Sequence, residues 1–433
     1  MRFIRSISRI LFGLVFISSG LLKLIDPVGT GLQVTEYLHI LHLSFFSSLS
    51  VLLGIALSVT EFVIGVSVLT STKMRIVSYG ALAMMIFFTP LTLYLALFNP
   101  ITDCGCFGEA FRPTNWETFL KNVVLIGLAI IIFINRNRYI PIANRYNEWI
   151  MIGVYGVIAL EIALFSYRHI PIVDFSEFKP GADLSLYLEE NRVLPQYKTT
   201  YIYEKGGERI SIDIEVDDLP DSTWLYIDAE SEIVSEGDGL QMDFKARDAE
   251  GNYVTREILG YRSLFISVFT DMSKISDKTW ERVSLFADSV RIHGADMIIL
   301  AASYPQEADQ YLSEYGLTVP IYYGDYKTLI TLIRSNGGVI YLQDGYIVQK
   351  WGFRDLPYNG IDRIINDRDY DLTITKVLIN GRLKFQILIF SLILIAVVLR
   401  YLMKSSKSYK LRELMFGRAL SIKKVRLKRK GTD

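Results

Sequence analysis

Six apolar stretches of bilayer length limit what this chain can become. They run over about 7–25, 45–70, 75–98, 118–135, 149–168 and 384–403, and a helix needs roughly 20 apolar residues to cross the hydrocarbon core. In lipid the backbone N–H and C=O groups must be satisfied within the segment, so each stretch is expected as a membrane helix. Arg2, Arg5 and Arg9 ahead of the first apolar run give it the look of a signal peptide. No small-residue cleavage site follows, and Lys23, Asp26 and Pro27 close the segment, so a retained helix is expected.

The formal net charge of zero averages unlike regions. The middle is acidic (Glu177, Glu189, Glu190, Asp213, Glu215, Asp217), while the segment from Lys404 to Lys430 is strongly basic. Short connections with Lys73 and Arg75, with Arg136, Arg138 and Arg145, the amino end and the basic tail all alternate to one side if the chain crosses six times. Positive residues mark the cytoplasmic side, so both termini are expected there. Segments 26–44 and 99–117, and the polar region 169–383, then face outward from the cytoplasmic membrane. The tail reads as a positive-inside anchor that also suits anionic lipid. Membrane lipid is therefore an expected partner and nucleic acid is not.

Cys104 and Cys106 are the only cysteines of the 433 residues, within Asp103-Cys104-Gly105-Cys106-Phe107-Gly108. Two cysteines make no disulfide framework, but on the outer side they can be oxidised. A bridge across one residue is a tight ring that glycine between the cysteines relaxes, and strained disulfides tend to be the exchangeable ones. Three readings of the pair stay open: redox-active, structural, or a metal site. The metal reading needs further donors, and His39 and His42 are the nearest, giving with Cys104 and Cys106 a set suited to zinc. No Lys or Arg adjoins the cysteines in sequence to favour a thiolate. Phe107 is expected to dip into the membrane interface. Glu61 sits deep in the second run, where a charge is costly and typically lines an interior or a pathway. Lys23 is expected to snorkel outward or pair with Asp26.

Residues 1–135 resemble the MauE/DoxX superfamily of four-helix, redox-associated membrane proteins. The opening run Arg9-Ile10-Leu11-Phe12-Gly13, then Ser19-Gly20-Leu21-Leu22-Lys23 and Asp26-Pro27, is similar to its first helix. Glu61 with Gly65, Thr89-Pro90 and above all the Asp-Cys-Gly-Cys-Phe-Gly motif resemble the MauE branch. The resemblance implies thiol–disulfide chemistry outside the cytoplasmic membrane, of the kind linked to methylamine utilisation, with Cys104 and Cys106 as reacting groups. An architectural likeness to DsbB and vitamin K epoxide reductase implies quinone as cofactor, with Glu61 on a quinone or proton path.

The remainder reads as a fifth span at 149–168, a β-rich region at 169–260, a thioredoxin-like domain at 261–352, a sixth span at 384–403 and the basic tail at 404–433. In the β-rich region Lys205-Gly206-Gly207 separates two strand-like runs as a hairpin. From 261 strands and helices alternate: Leu264–Phe269, a helix over 277–293, Met297–Ala301, helices over 305–315 and 326–334, then Val339–Leu342 and Tyr346–Gln349 around Asp344-Gly345, a strong hairpin signal. This order resembles the thioredoxin-like fold, but Thr270-Asp271-Met272-Ser273 stands where that fold carries Cys-x-x-Cys. Ser335-Asn336-Gly337-Gly338 stands where it carries a proline loop. Such a domain is expected to bind exported client proteins, a thioredoxin-like partner or its own bundle. The first functional expectation is a membrane thiol–disulfide oxidoreductase. The alternative is a non-catalytic assembly or docking factor with a structural cysteine pair.

Overall fold

A computed structural model describes residues 2–101, 105–111, 113–139, 143–188, 196–205, 208–213, 224–235, 244–367 and 369–429. The chain is a multi-pass membrane protein: six helices are long and apolar enough to cross a bilayer, over Phe3–Ile25, Ser44–Thr70, Met74–Phe98, Asn115–Ile134, Tyr146–Arg168 and Tyr370–Leu402. The amino-terminal part comprises α1 (Arg2–Ile25), α2 (Pro27–Ile40), α3 (Ser50–Thr70), α4 (Met74–Phe98), the short strand β1 (Cys106–Glu109), α5 (Asn115–Ile134) and α6 (Arg145–Arg168). Segment 26–44 is thus largely helical. Asp26 caps α2 by accepting from the Gly29 N–H at 2.8 Å, and Pro27 supplies the fixed φ of a first helical residue.

Two clusters fill the bundle. Phe12, Phe16, Val68, Ala81, Met85 and Ile132 join α1, α3, α4 and α5. Leu24, Phe62, Met151, Tyr155 and Ala159 join α1, α3 and α6. The basic connections gather at one end, where Lys73 pairs with Glu148 at 3.7 Å and Arg9 donates to Ser71.

Beyond α6 lie β2 (Gln196–Lys205), β3 (Glu208–Asp213) and β4 (Leu225–Ser235), an antiparallel sheet ordered β3-β2-β4. The expected hairpin at Lys205 is there, with Lys205 opposite Glu208. Next come β5 (Ala246–Arg247), α7 (Thr255–Leu259), β6 (Ser263–Phe269), α8 (Asp277–Ile292), β7 (Met297–Ala301), α9 (Pro305–Glu314), β8 (Ile321–Gly324), α10 (Tyr326–Leu332), β9 (Gly338–Gln343), β10 (Tyr346–Trp351) and α11 (Ile361–Ile365). These strands form one sheet ordered β10-β9-β6-β7-β8-β5. β6 runs parallel to β7 and antiparallel to β9, which is antiparallel to β10.

A parallel pair with a helical crossover, extended by a terminal hairpin on the first strand, is thioredoxin-like topology. The core strands are buried on both faces, as continuous apolar runs such as Leu264–Phe269 require. Asp344 and Gly345 take φ of 50° and 83°, the left-handed pair of a tight hairpin turn. The strand β8 was not expected from the sequence. Finally α12 (Tyr370–Arg429) is one helix of 60 residues, rooted in the α/β core through Ile374 and running through the last span.

Candidate functional site

The site is assembled where α1 and α3 touch. A Cβ on Gly20 would stand 2.7 Å from the Phe62 backbone N, and one on Gly65 would stand 2.7 Å from the Ile17 backbone N. Small residues at both positions let the two backbones meet. Lys23, one turn beyond Gly20, therefore faces Glu61 beside Phe62, with Lys23 Nζ 2.7 Å from Glu61 Oε2. The side chains are 11% and 8% exposed, so each charge is held in the bundle by the other. Lys23 neither snorkels outward nor pairs with Asp26, as expected from sequence. The close helix contact brings a nearer carboxylate within reach.

Above this pair lies a cavity of about 70 Å³, lined among others by Ser19, Lys23, Gln33, Glu61, Gly105 and Lys121. Its wall is mostly apolar, with Val15, Phe16, Met85 and Phe88 beside the few polar groups. Gly105, between the two cysteines, has φ +59°, and a Cβ there would overlap the Gln33 side chain. The Gly108 N–H donates to the Gly105 carbonyl at 3.1 Å, closing a turn at the head of β1. Glycine is demanded at 105 both by backbone angle and by the contact with α2.

Cys104 and the side chain of Cys106 lie outside the described residues; the backbone of Cys106 opens β1. Phe107 is partly buried. The Lys121 ammonium of α5 sits 4.5 Å from its ring centroid, and Phe111 is edge-on at 6.0 Å. Sequence adjacency had shown no cation near the thiols, yet α5 delivers one to the residue beside Cys106.

His39 Nδ1 lies 3.0 Å from Ser44 Oγ, and His42 takes a left-handed φ of 56° where the chain leaves α2. Among the described residues no three His, Cys, Asp or Glu side chains gather as metal ligands do.

The α/β module meets the bundle at this same end. Arg334, just ahead of β9, is 4% exposed and reaches two acidic groups of the amino-terminal part. Its Nε donates to Asp26 Oδ2 at 3.1 Å, and its Nη2 donates to Glu109 on β1. Its Nη1 donates to the Ile330 carbonyl at 2.8 Å. Burial opposes the charge on Arg334, but Asp26 and Glu109 outweigh burial and raise its pKa. Nearby, Lys350 Nζ is 2.7 Å from Asp174 Oδ2. Burial alone would push the Asp174 carboxyl up; the Lys350 ammonium holds it below the usual carboxylate range. Lys327–Glu36 at 2.6 Å and His169–Asp355 at 2.8 Å complete the junction. None of these cross-chain partners was foreseen from the sequence.

Where a thioredoxin-like fold places its thiols, Asn336 closes the loop instead. Its Oδ1 accepts from the Thr270 N–H at 2.9 Å and its Nδ2 donates to the Asp271 carbonyl at 2.7 Å. With no cysteine at 270–273 or elsewhere in the module, it has no thiol to exchange.

Comparison with known proteins agrees with the membrane part. Residues 1–135 match the family model described as methylamine utilisation protein MauE. Residues 197–236 match a domain of unknown function, DUF8463. No curated protein matches the chain. Among solved structures, yeast Sco1 is similar at 18% identity and a TM-score of 0.24, covering 28% of this chain and 89% of that one. Yeast Sco1 with copper bound is similar at 17% identity and the same TM-score, covering 28% and 87%. The thioredoxin-like assignment rests on the strand order, not on these scores.

Proposed function

We propose that this protein exchanges disulfides with exported proteins at the outer face of the cytoplasmic membrane, using Cys104 and Cys106. The observation that carries the reading is the seat of the loop: Gly105, between the two cysteines, lines a small cavity whose wall holds the buried Lys23–Glu61 pair. The MauE match of residues 1–135 supports the same redox reading. The outward placement rests on the basic connections, which gather at the bundle end opposite the module.

In the exchange, a thiolate of the client attacks one sulfur of an oxidised Cys104–Cys106 pair. A mixed disulfide forms and a cysteine thiolate leaves. The client's second thiol then displaces the remaining cysteine, so the client gains the disulfide and this chain ends as the dithiol. The client gives up two electrons and two protons. Both protons end on the Cys104 and Cys106 thiols, and Lys121, held against the Phe107 ring beside Cys106, supplies the positive charge on that side of the loop.

The quinone expectation is not carried forward at Glu61. The cavity there holds about 70 Å³, about half the 150 Å³ that an engineered protein cavity uses to bind benzene, and the exchange proposed here routes no step through a quinone.

Alkylation of thiols in intact cells, with and without reductant, tests the reading. The expected result is an oxidised pair in untreated cells and a Cys106→Ala or Cys104→Ala variant that accumulates a mixed disulfide with a client. A second reading is favoured by the cysteine-free module seated on β1: a non-catalytic assembly factor with a structural cysteine pair. Intact function in both single Cys→Ala variants, lost on deletion of 261–352, would decide for it.

A further inference from the structure

The sixth span leaves a gap against the bundle. Between α12 and the helices α1, α3 and α6 lies a cavity of about 520 Å³, open on one side, whose wall includes Leu14, Ile17, Phe62, Tyr155, Ile389 and Ala396. Across it α12 reaches the bundle through side chains such as Phe385, Leu388 and Leu392, which pack on the cluster around Leu24 and Tyr155. All four helices are candidate membrane spans, so the gap stands at membrane depth.

Its size and shape select the occupant. From Phe385 to Ala396, both on the cavity wall, α12 rises about 16 Å. Spread over that length, the volume gives a cross-section on the order of 30 Å², whereas a helix about 10 Å across takes on the order of 80 Å². The volume is also about three and a half times the 150 Å³ that an engineered cavity uses to bind benzene, which is room for roughly 20 carbon atoms. One hydrocarbon chain fits, and a helix from a partner or a second copy does not. Such a chain restores the dispersion contacts that the lining of an empty gap forfeits.

The basic end of the bundle supplies a second observation. Arg400 stands one turn beyond Ala396 on α12, and Arg9 stands two turns ahead of Ile17 on α1, so both continue cavity-lining faces. Arg9 donates to the Ser71 hydroxyl, next to Thr70 on the cavity wall, and Arg400 is exposed. Among the described residues no carboxylate pairs with either. Two uncompensated guanidinium groups at one mouth suit a phosphate.

We propose that an anionic phospholipid of the leaflet on the basic side binds here, with one acyl chain in the cavity and its phosphate between Arg9 and Arg400. The lipid fills the joint between α12 and the bundle, and its binding is independent of any thiol chemistry.

The test purifies the full-length protein in detergent with added phosphatidylglycerol or phosphatidylcholine and counts retained lipid by native mass spectrometry. Wild type is expected to keep a single phosphatidylglycerol and to prefer it at least about tenfold over phosphatidylcholine. Ile393 is exposed on the cavity wall, and Ile393→Trp fills the gap, so this variant is expected to lose the lipid. Arg400→Gln is expected to keep a lipid but to lower the preference about fivefold. Should Ile393→Trp fail to accumulate, Arg400→Gln carries the test, because its position is exposed. Equal retention in wild type and Ile393→Trp would overturn the proposal and leave only boundary lipid. Equal retention of the two lipids by wild type would overturn it as well, and so would a bound free fatty acid in place of a phospholipid.

Discussion

Glu61→Ala is expected to cost about 3–5 kcal/mol of folding stability, because it strands the Lys23 ammonium inside the bundle. Lys23→Ala should cost a similar amount by stranding the carboxylate. The double variant Lys23→Met/Glu61→Leu removes both charges and leaves apolar side chains of comparable size, so most of the loss should return. Thermal unfolding of purified protein, read beside the yield in membranes, checks all three. The double variant also separates structure from chemistry. If Glu61 serves only the fold, thiol exchange returns with stability. If Glu61 also takes part in the exchange, stability returns and the exchange stays slow. Double variants with wild-type exchange rates would remove Glu61 from the mechanism and leave it a structural role.

Gly20→Leu or Gly65→Leu should each be at least as damaging. Each side chain would have to occupy space taken by the facing backbone, at 2.7 Å from a Cβ position. Overpacking typically costs about 1–3 kcal/mol, and here a whole helix must move to relieve it. The two positions share one contact, so their costs should not add. A shift of α1 away from α3 also separates Lys23 from Glu61, so loss of the ion pair should accompany loss of packing. Membrane yield of each single and of the double variant measures the effect; unchanged yield in both singles would contradict the close approach of α1 and α3.

Local signals in the sequence were enough for the spans and for most of the α/β module. Continuous apolar runs marked the helices and the buried strands, and Asp344-Gly345 marked the hairpin. Three elements escaped for local reasons. Helix α2 falls in a segment that reads as an outer connection, although Asp26 followed by Pro27 is a helix start. The strand β8 spans only Ile321–Gly324 and follows a proline. The start of α12 at Tyr370 was hidden by Asp371, Lys376, Arg382 and Lys384, which break the apolar run without breaking the helix.

Site residues were legible as types and not as pairs. Glu61 and Lys23 stood out as charges in apolar surroundings, but their pairing spans 38 positions and depends on two glycines. Lys121 reaches Phe107 only because α5 folds back beside β1. Arg334 finds Asp26 across 308 positions. Nothing in the local pattern around Arg334 distinguishes it from an ordinary surface arginine. Its role appears only once two domains are set face to face.

The last helix gives the junction a mechanical side. At about 1.5 Å per residue, α12 is a rod on the order of 90 Å long. One end is embedded among the aromatic side chains of the module, with Tyr370 stacked on Tyr346 at 6.0 Å. The other carries the basic segment beyond the last span. No proline interrupts it, but Gly381, packed by the Ile172 carbonyl ahead of the apolar span, is a place where it can bend. A movement of the module would therefore reach the last span through this one helix, and Gly381 is where it would be passed on or absorbed.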